Sequence, residues 1–520
     1  MRLRRTTPGR AVRACRAAHL LCLALLAAGH GSAPCGDGLD GLRTRLRARD
    51  KWARAEAVEE LARAGTPAAW ELVLGALADE KGEVADTAEV VLAALEHPEA
   101  LALLGGEDGL RSKEPLVRAR VAELLGRTAR IPGEIPLAKL LARALGDDEP
   151  EVRRMAAWSV ERALVAGRLG SEARAELVDD LQKRARSDRD ALVRGRALAA
   201  LVRVDPGAAR PALDAAWRER DPLLRGAAAA HLAAACEPGL ALERLAALSA
   251  DPQAAVRRVA VEALAGMETR EALSVLVERM PLETEERLAA RLVEQLQRLS
   301  GLKHRRDPRP WRDWLGTLPE DWKPSPAPGG PPEESGEPAE RSRAALAGLP
   351  IVSKRVAILI DLSGSIWNIR ADGKTRKELV DAKLREALEA LPGDTRFNLI
   401  PYTGAPIPWK PRLVEASRAN VRAAAAWFEA RRDNGSGNLW DAALLALADP
   451  EVDTLIVLFD GAPTGGPRHR LELMIPLLLE RTQARRVAFD LVLVDGTKKL
   501  RRSWSELCEG SGGRLLSVTF

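Results

Sequence analysis

A short motif that recurs along the first 300 residues constrains the fold of this chain more than any other feature of its sequence. Each copy has an apolar residue, an arginine, small residues and then a leucine, and successive copies stand roughly 31 to 41 residues apart. This is the period of stacked helix pairs in solenoids. The clearest copies begin at Val117, Val152, Val193, Leu224 and Val256, and weaker ones at Trp52 and Val84.

An acid or a proline stands a few residues before most copies, as expected where a helix begins. Such starts are Asp148-Glu149-Pro150, Asp188-Arg189-Asp190, Asp221-Pro222 and Asp251-Pro252. Since one short helix pair cannot bury its own apolar face, neighbouring pairs must stack into a rod with a continuous core. The region 40–302 resembles HEAT repeats, which implies an all-α solenoid. We expect the recurrent arginines to bond acids or carbonyls of the previous repeat; a functional basic stripe is the alternative.

Two segments follow the repeats. Residues 303–322 contain Trp311, Trp314 and Trp322, which we expect to close the open end of the rod, the alternative being a carbohydrate-binding platform. Residues 323–349 are rich in proline, glycine, glutamate and serine, which predicts an extended spacer. We therefore expect the rod and the domain after it to move independently.

The amino terminus has the pattern of a secretory signal peptide, predicted over residues 1–33. Six arginines precede an apolar stretch, Leu20 to Ala28, and small residues follow it. The alternative is a short amphipathic first helix of the repeats. The signal predicts an exported protein, periplasmic or extracellular, and the preference for Arg and Ala over Lys suggests a bacterial, GC-rich source.

Charge and hydropathy argue against a nucleic-acid partner and against a transmembrane segment. The net charge of the whole chain is +5, and removing six leader arginines leaves a mature chain near −1. General basicity therefore does not predict a nucleic-acid partner. Beyond the first thirty positions no apolar run is long enough to span a bilayer, so no transmembrane segment is expected in the mature chain. Three scattered cysteines remain, Cys35, Cys236 and Cys508, which do not form a disulfide framework.

After residue 349 the pattern changes to alternating strands and helices, which predicts a mostly parallel sheet covered by helices on both sides. A 520-residue chain is long enough for such a second domain. The predicted strands are Val356–Ile360, Phe397–Tyr402, Leu455–Phe459, Phe489–Val494 and Leu515–Thr519. The predicted helices are Arg376–Leu391, Arg418–Ala430, Leu439–Ala448, Leu471–Arg481 and Trp504–Glu509.

The first of these strands ends in a run of oxygen-bearing side chains. Asp361, Ser363 and Ser365 stand at alternate positions after the buried stretch Val356–Ile360. The carboxyl edge of a parallel sheet is where open α/β folds bind ligands. Carboxylate and hydroxyl oxygens suit Mg²⁺, Mn²⁺ or Ca²⁺ rather than zinc or copper. The sequence therefore predicts a site for one divalent cation, Mg²⁺ or else Mn²⁺ or Ca²⁺.

Residues 350–520 resemble a von Willebrand factor type A (VWA) domain, an α/β Rossmann-like fold. Asp361-Leu362-Ser363-Gly364-Ser365 matches the Asp-x-Ser-x-Ser signature of its metal ion-dependent adhesion site, and Asp460-Gly461 matches a later Asp-Gly segment. The resemblance implies that Ser363 and Ser365 bind the metal directly and that Asp361 and Asp460 are acids of the site. Gly437 stands where the family has a threonine ligand, with Ser436 one residue earlier as its possible substitute.

The resemblance implies a binding protein rather than an enzyme. In the family a partner's Asp or Glu completes the coordination of the metal. We therefore expect an exported scaffold that binds an acidic protein partner, with the repeats as a second interaction surface. One alternative is a structural repeat protein whose VWA domain binds no metal. Another is a metal-dependent hydrolase with Asp361 as nucleophile, although that chemistry usually has a second acid where Ser363 stands.

Overall fold

The computed structural model describes residues 36–95, 98–128, 136–324, 344–369 and 373–519. The predicted signal peptide and most of the predicted spacer, residues 325–343, lie outside these ranges. Within the described residues, no helix combines the length and the apolar character needed to cross a bilayer. The chain divides into two compact units, Met1–Leu177 and Val178–Phe520.

Successive short helices make up the described residues from Gly36 to Gly316, which confirms the predicted all-α repeats. Those of the first unit, with one that crosses into the second, are α1 Gly36–Arg45, α2 Lys51–Ala64, α3 Pro67–Gly75, α4 Gly82–Ala94, α5 Pro98–Leu103, α6 Pro115–Arg127, α7 Leu137–Leu145, α8 Pro150–Val165 and α9 Ser171–Ser187. The second unit continues with α10 Ala191–Val204, α11 Pro206–Ala216, α12 Pro222–Ala235, α13 Pro238–Leu248, α14 Ala254–Met267, α15 Arg270–Arg279, α16 Glu286–Ser300 and α17 Pro308–Gly316.

The starts of these helices follow the capping chemistry of the sequence. The Asp190 side chain accepts hydrogen bonds from the main chain of Leu192 and Val193, and Asp221 caps α12 with proline at its first position. Asp251 differs, because α14 begins only at Ala254 with Gln253 as its N-cap. The Asp251 carboxylate is engaged by an arginine of the repeat before it instead.

The recurrent arginines form a ladder between consecutive repeats. Arg225 donates two hydrogen bonds to Asp251, at 2.7 and 3.0 Å, and two more to the carbonyls of Glu219 and Arg220. Each ladder arginine reaches an acid of the following repeat rather than the previous one. Four of them also bond carbonyls just before their own helix, whereas Arg194 bonds the Ala185 carbonyl in the preceding helix. The equivalent pairs are Arg54–Asp79, Arg118–Asp147, Arg194–Glu219 and Arg257–Glu283. Paired arginines favour the structural explanation over a basic stripe.

The tryptophans after the repeats close the apolar core of the last helices. Trp311 is fully buried, and its indole NH donates to the Arg305 carbonyl at 2.7 Å. Trp314 packs edge-on against both Trp311 and Trp322, and all three contact the core of α12–α16. Because Trp311 and its neighbours face this core, the geometry favours the capping role over a carbohydrate platform.

A six-stranded sheet forms the second domain, in the order β5-β4-β3-β6-β7-β8. All its neighbouring strands are parallel except the short edge strand β5, which confirms the predicted mostly parallel sheet. A hairpin, β1 Ala345–Leu346 and β2 Leu349–Pro350, precedes it. The sheet strands are β3 Arg355–Asp361, β4 Arg396–Tyr402, β5 Val414–Glu415, β6 Thr454–Phe459, β7 Ala488–Val494 and β8 Leu515–Val518.

Helices cover both faces of this sheet. They are α18 Arg376–Glu389, α19 Arg418–Glu429, α20 Leu439–Ala448, α21 Leu471–Thr482 and α22 Lys498–Ser511. The apolar faces of α18 and α19 pack with Val356, Ile358 and Ile360 of β3, while α20 and α22 pack against the opposite face. Ala344, Leu346 and Leu349 belong to the same core, so the domain begins before the predicted boundary at residue 350.

The second half of the repeat array is docked on the amino-terminal edge of the sheet. Arg287 bonds both carboxylate oxygens of Asp490, at 3.0 and 3.2 Å, and also the Gly512 carbonyl. Arg258 lies 3.3 Å from the Asp453 carboxylate, just before β6. These buried pairs contradict the expectation that rod and head move independently, since separation would leave charges unpaired.

The docking also uses a close approach of two backbones. A methyl group added at Gly226 on α12 would lie 2.1 Å from the Ala484 carbonyl, in the loop after α21. Arg196, on α10, donates to the neighbouring Gln483 side chain at 2.9 Å. Three helices of the array, α10, α12 and α14, therefore contribute to this interface, together with Arg287 of α16.

Candidate metal centre

The carboxyl ends of β3 and β6 meet at the point where the strand order reverses. The chain passes from β3 to β4 on one side and later returns to β6 on the other side of β3. Parallel pairing places Ile360 opposite Leu458, so Asp361 and Asp460 end up at the same edge. Such a switch point is the usual ligand crevice of an open α/β sheet.

Asp361, Ser363 and Ser365 lie together at this edge, as the sequence predicted they would. The Ser363 main-chain NH donates to Asp361 Oδ1 at 2.7 Å, and the two serine hydroxyl oxygens lie 3.3 Å apart. Burial raises the pKa of Asp361 to about 6; hydrogen bonds from Ser363 lower it, and the nearby Asp460 carboxylate raises it further. A carboxylate removed from water beside two hydroxyls is an arrangement that a cation stabilises.

The loop 434–438 contacts this group, but Gly437 and Ser436 face different neighbours. A methyl group added at Gly437 would lie 2.7 Å from Asp361 Oδ2, so this position faces the site directly. The Ser436 hydroxyl instead faces Gly465, where an added methyl would lie 2.2 Å from it. Among the described residues, no hydrogen bond joins Ser436 to Asp361, Ser363 or Ser365, although the loop pairs with Ser363 one residue earlier, at Gly435.

The loop after β6 holds the Gly437 backbone in place. The Gly437 NH donates to Thr464 Oγ1 at 2.7 Å, and the Thr464 NH donates to the Gly437 carbonyl at 3.2 Å. Asn438 caps α20 through its side chain and donates to the Gly404 carbonyl at 3.0 Å. These contacts hold the Gly437 backbone next to Asp361.

Asp460 lies at the site with an ion-pair partner that the sequence analysis missed. Arg376 Nη1 donates to Asp460 Oδ2 at 3.0 Å, and Nη2 donates to Asp495 Oδ2 at 2.6 Å. Asp361, Ser365, Arg376 and Asp460 line one small cavity. No local motif marks Arg376, because its partners are 84 and 119 residues away in the sequence.

The only tyrosine of the chain, Tyr402, is a second neighbour of the site that no local sequence motif predicts. Tyr402 ends β4 opposite Asp361 and is buried. Burial, with the charges of Asp361 and Asp460, raises the pKa of Tyr402 well above its usual value. The phenol therefore stays neutral beside the two carboxylates and adds no charge to the site.

The oxygen atoms of these side chains fit a hard divalent cation. The site has one side-chain oxygen fewer than the resemblance to a VWA domain implies. Asp361, Ser363 and Ser365 would hold the ion, and Asp460 would bind through water or balance its charge. Since hydroxyl ligands add no negative charge, an ion held this way remains electrophilic and would attract an acidic ligand. The position facing Asp361 that should supply a third hydroxyl carries only the hydrogen of Gly437.

Comparisons with known proteins find two kinds of similarity. The family model described as HEAT repeats matches residues 107–202. Mouse "Inter alpha-trypsin inhibitor, heavy chain 4" is 34% identical over 130 residues, which cover 23% of this chain and 13% of that protein. Human "von Willebrand factor A domain-containing protein 3B" is 29% identical over 113 residues, covering 22% of this chain and 8% of that protein. The matched stretch thus spans a small part of these relatives.

Solved structures give the same two kinds of likeness at low overall similarity. The SpRpn10 VWA domain covers 32% of this chain and 87% of its own, with 13% identity and a TM-score of 0.25. The karyopherin Kap121p bound to Ulp1p covers 50% of this chain and 33% of its own, with 15% identity and a TM-score of 0.36. The chain is thus similar to HEAT-repeat proteins over residues 107–202 and, over 22 to 23% of its length, to relatives that include an inter-alpha-trypsin inhibitor heavy chain and a von Willebrand factor A domain-containing protein.

Proposed function

We propose that this protein is an exported binding scaffold whose VWA domain uses one divalent cation to bind an acidic group of a protein partner. Asp361, Ser363 and Ser365 hold the ion, Mg²⁺ or else Mn²⁺ or Ca²⁺, and Asp460 contributes charge. A partner's Asp or Glu completes the coordination, and the repeat array offers a second interaction surface. The observation that supports this most is the Asp361 carboxylate, removed from water beside two serine hydroxyls at the switch point of the sheet.

The position of the docked repeats supports the same function. The array contacts Asp453 and Asp490 near the amino ends of β6 and β7, whereas the candidate site lies after their carboxyl ends. A six-residue strand such as β6 is about 20 Å long. The site therefore lies at the end of the domain opposite these docked helices, and we infer that a partner reaches it there.

Thermal unfolding of the full chain with and without Mg²⁺ tests the metal site. An ion that binds only the folded state stabilises it by about 2.7 kcal/mol at a hundredfold excess over Kd, so we expect Mg²⁺ to raise the Tm of the wild type by several degrees. Asp361→Asn should abolish this response. It should also raise the Tm in chelator, because it removes a desolvated charge.

Asp433→Asn is the matched control, since Asp433 pairs with Arg431 on a neighbouring loop outside the donor set. Its response to Mg²⁺ should equal that of the wild type. An unchanged Tm of the wild type at millimolar Mg²⁺ would favour the structural alternative, a VWA domain without metal. Affinity capture with the full chain, in Mg²⁺ and in chelator, then tests whether an acidic partner depends on the ion.

A further inference from the structure

Arg376 is placed so that its side chain is part of the candidate site. It is the first residue of α18, whose N-cap Thr375 forms a capping box with Glu378. The Arg376 main-chain NH donates to the Asn368 carbonyl at 3.1 Å. Because the backbone is held at both points, the guanidinium is directed to the cavity that Asp361, Ser365 and Asp460 also line.

The guanidinium bridges two carboxylates at this edge. Its Nη1 lies 3.0 Å from Asp460 and its Nη2 lies 2.6 Å from Asp495, and the three side chains are 20 to 30% exposed. A guanidinium keeps its charge at any ordinary pH and makes directed bonds to two acceptors at once. In this arrangement Asp460 already has a cation, whereas Asp361 has no ion-pair partner among the residues that the structure describes.

The net charge of this cluster determines whether it can bind a divalent cation in addition to Arg376. Asp361, Asp460 and Asp495 carry three negative charges, and Arg376 neutralises one. The remaining two charges equal those of one divalent ion, so the cluster has room for an ion without losing Arg376. Asp460, however, cannot give its full charge to such an ion while Arg376 Nη1 is bonded to it.

We propose that Arg376 is a tethered cation that competes with the divalent ion for Asp460 and so lowers the affinity of the site for metal. When the ion is bound, Asp460 exchanges the guanidinium for the ion or its water, and Arg376 keeps its bond to Asp495. The competition needs no change of protonation. This inference rests on the proposed metal site and adds a residue that sets the metal concentration at which the site fills.

Titration of the full chain with Mn²⁺, followed by electron paramagnetic resonance of the free ion, tests the proposal. Arg376→Gln should bind Mn²⁺ about tenfold more tightly than the wild type or better, the change expected from loss of one charged hydrogen bond to Asp460. Arg376→Lys keeps the charge but cannot bridge both carboxylates, and its affinity should fall between the two. Arg431→Gln removes an arginine that pairs with Asp433 on a neighbouring loop and should match the wild type.

Thermal unfolding is the second measurement, and it reports the stability of the Arg376→Gln variant. In chelator, Arg376→Gln should melt at a lower temperature than the wild type, because Asp460 and Asp495 lose their shared cation, and Mn²⁺ should restore more stability to it than to the wild type. Equal or weaker Mn²⁺ affinity in Arg376→Gln would overturn the role of Arg376 while the metal site stands. Absence of Mn²⁺ binding in every variant would overturn both the proposed function and this inference.

Discussion

Gly437 is the residue at which this site departs from the VWA family that its sequence resembles. The resemblance implies a threonine hydroxyl at this position, and the structure shows that a side chain here would face Asp361 directly. The Ser436 hydroxyl faces Gly465 in this arrangement, and the Gly437 backbone is bonded to Thr464 on both its NH and its carbonyl, so Ser436 as the substitute ligand stays a prediction. Two hydroxyls, those of Ser363 and Ser365, lie beside Asp361, and a metal ion held there would take its other neutral ligands from water.

Gly437→Thr should restore the missing donor. The added Cβ would lie 2.7 Å from Asp361 Oδ2, which requires the carboxylate to shift, so we expect a lower Tm in chelator. The new hydroxyl should tighten Mg²⁺ binding about tenfold, because we expect it to contribute as much as one hydrogen bond to a charged group. Isothermal titration calorimetry measures this affinity.

Gly437→Ala is the control for this prediction, because it adds the same Cβ without the oxygen. It should lower the Tm as Gly437→Thr does and leave the metal affinity unchanged or weaker. If alanine and threonine have the same effect on Mg²⁺ binding, position 437 supplies no ligand.

Part of the site could be predicted from the sequence, because its residues stand close together in the chain. Asp361, Ser363 and Ser365 stand within five residues at the end of an apolar strand, so their proximity follows from the strand alone. Asp460 follows from a second strand end. Arg376 and Tyr402 did not follow, because their place at the site depends on the packing of α18 and on the pairing of β4 with β3.

At the scale of elements, the arginine ladder is the contact that repeats along the array. Arg225 is representative: it bonds Asp251 with two nitrogens and also two carbonyls before α12. Both partners of this ion pair are largely buried, at 13 and 6% side-chain exposure. A pair so shielded from water contributes more than a surface salt bridge, and losing one partner leaves the other without compensation.

Arg225→Ala should lower the free energy of unfolding by about 2 to 4 kcal/mol, since it leaves the Asp251 carboxylate and two carbonyls without their donor. Arg220→Ala, at an exposed arginine in the turn before α12, should change it by less than about 0.5 kcal/mol. Urea unfolding measures both. Equal effects of the two substitutions would show that the arginine ladder does not stabilise the array.

The elements themselves were predictable where apolar periodicity marks them. The five predicted strands differ from the observed ones by a residue at most, and α20 has the predicted bounds. The start of α22 was wrong: it begins at Lys498 rather than Trp504, because its first turns, Lys-Lys-Leu-Arg-Arg, face solvent and carry little apolar signal. The two-residue strand β5 was also missed, since tertiary pairing with β4 defines it rather than its own sequence.

At the scale of the molecule, the docking of the array on the VWA domain was wrongly predicted. The proline-rich composition of the spacer indicated independent motion, but composition says nothing about surfaces elsewhere that attract each other. Arg258 and Arg287 resemble other helix arginines in the sequence, and their partners Asp453 and Asp490 lie about 200 residues away. Only the assembled structure brings these pairs together.

The docking should depend on pH through Asp490. Burial would raise the pKa of Asp490, but the guanidinium groups of Arg287 and Arg514 hold it below its usual value. An acid whose folded-state pKa is lowered contributes stability that is present above its unfolded pKa, about 3.9, and is lost as pH falls through the lower folded value. Asp490→Asn should therefore be less stable than the wild type at pH 7, and this difference should disappear in strong acid.

Asp394→Asn is the control for this pH series. Asp394 pairs with Lys354 at the surface, which also lowers its pKa, but that exposed pair contributes little to stability. Thermal unfolding between pH 2 and 7 should show a much smaller difference between this variant and the wild type. A difference for Asp490→Asn that does not change with pH would contradict the assignment of the effect to its charge.

The placement of the docking pairs at the amino ends of β6 and β7 has a mechanical consequence. A partner held at the opposite edge and drawn away from the array would pull along the strands, and the array would resist through Arg258 and Arg287. The hydrogen bonds between β3, β6 and β7 run across that direction, so the force would load them together in shear instead of opening them one at a time. With the proposed partner bound at that edge, the domain would thus transmit tension from it to these helices.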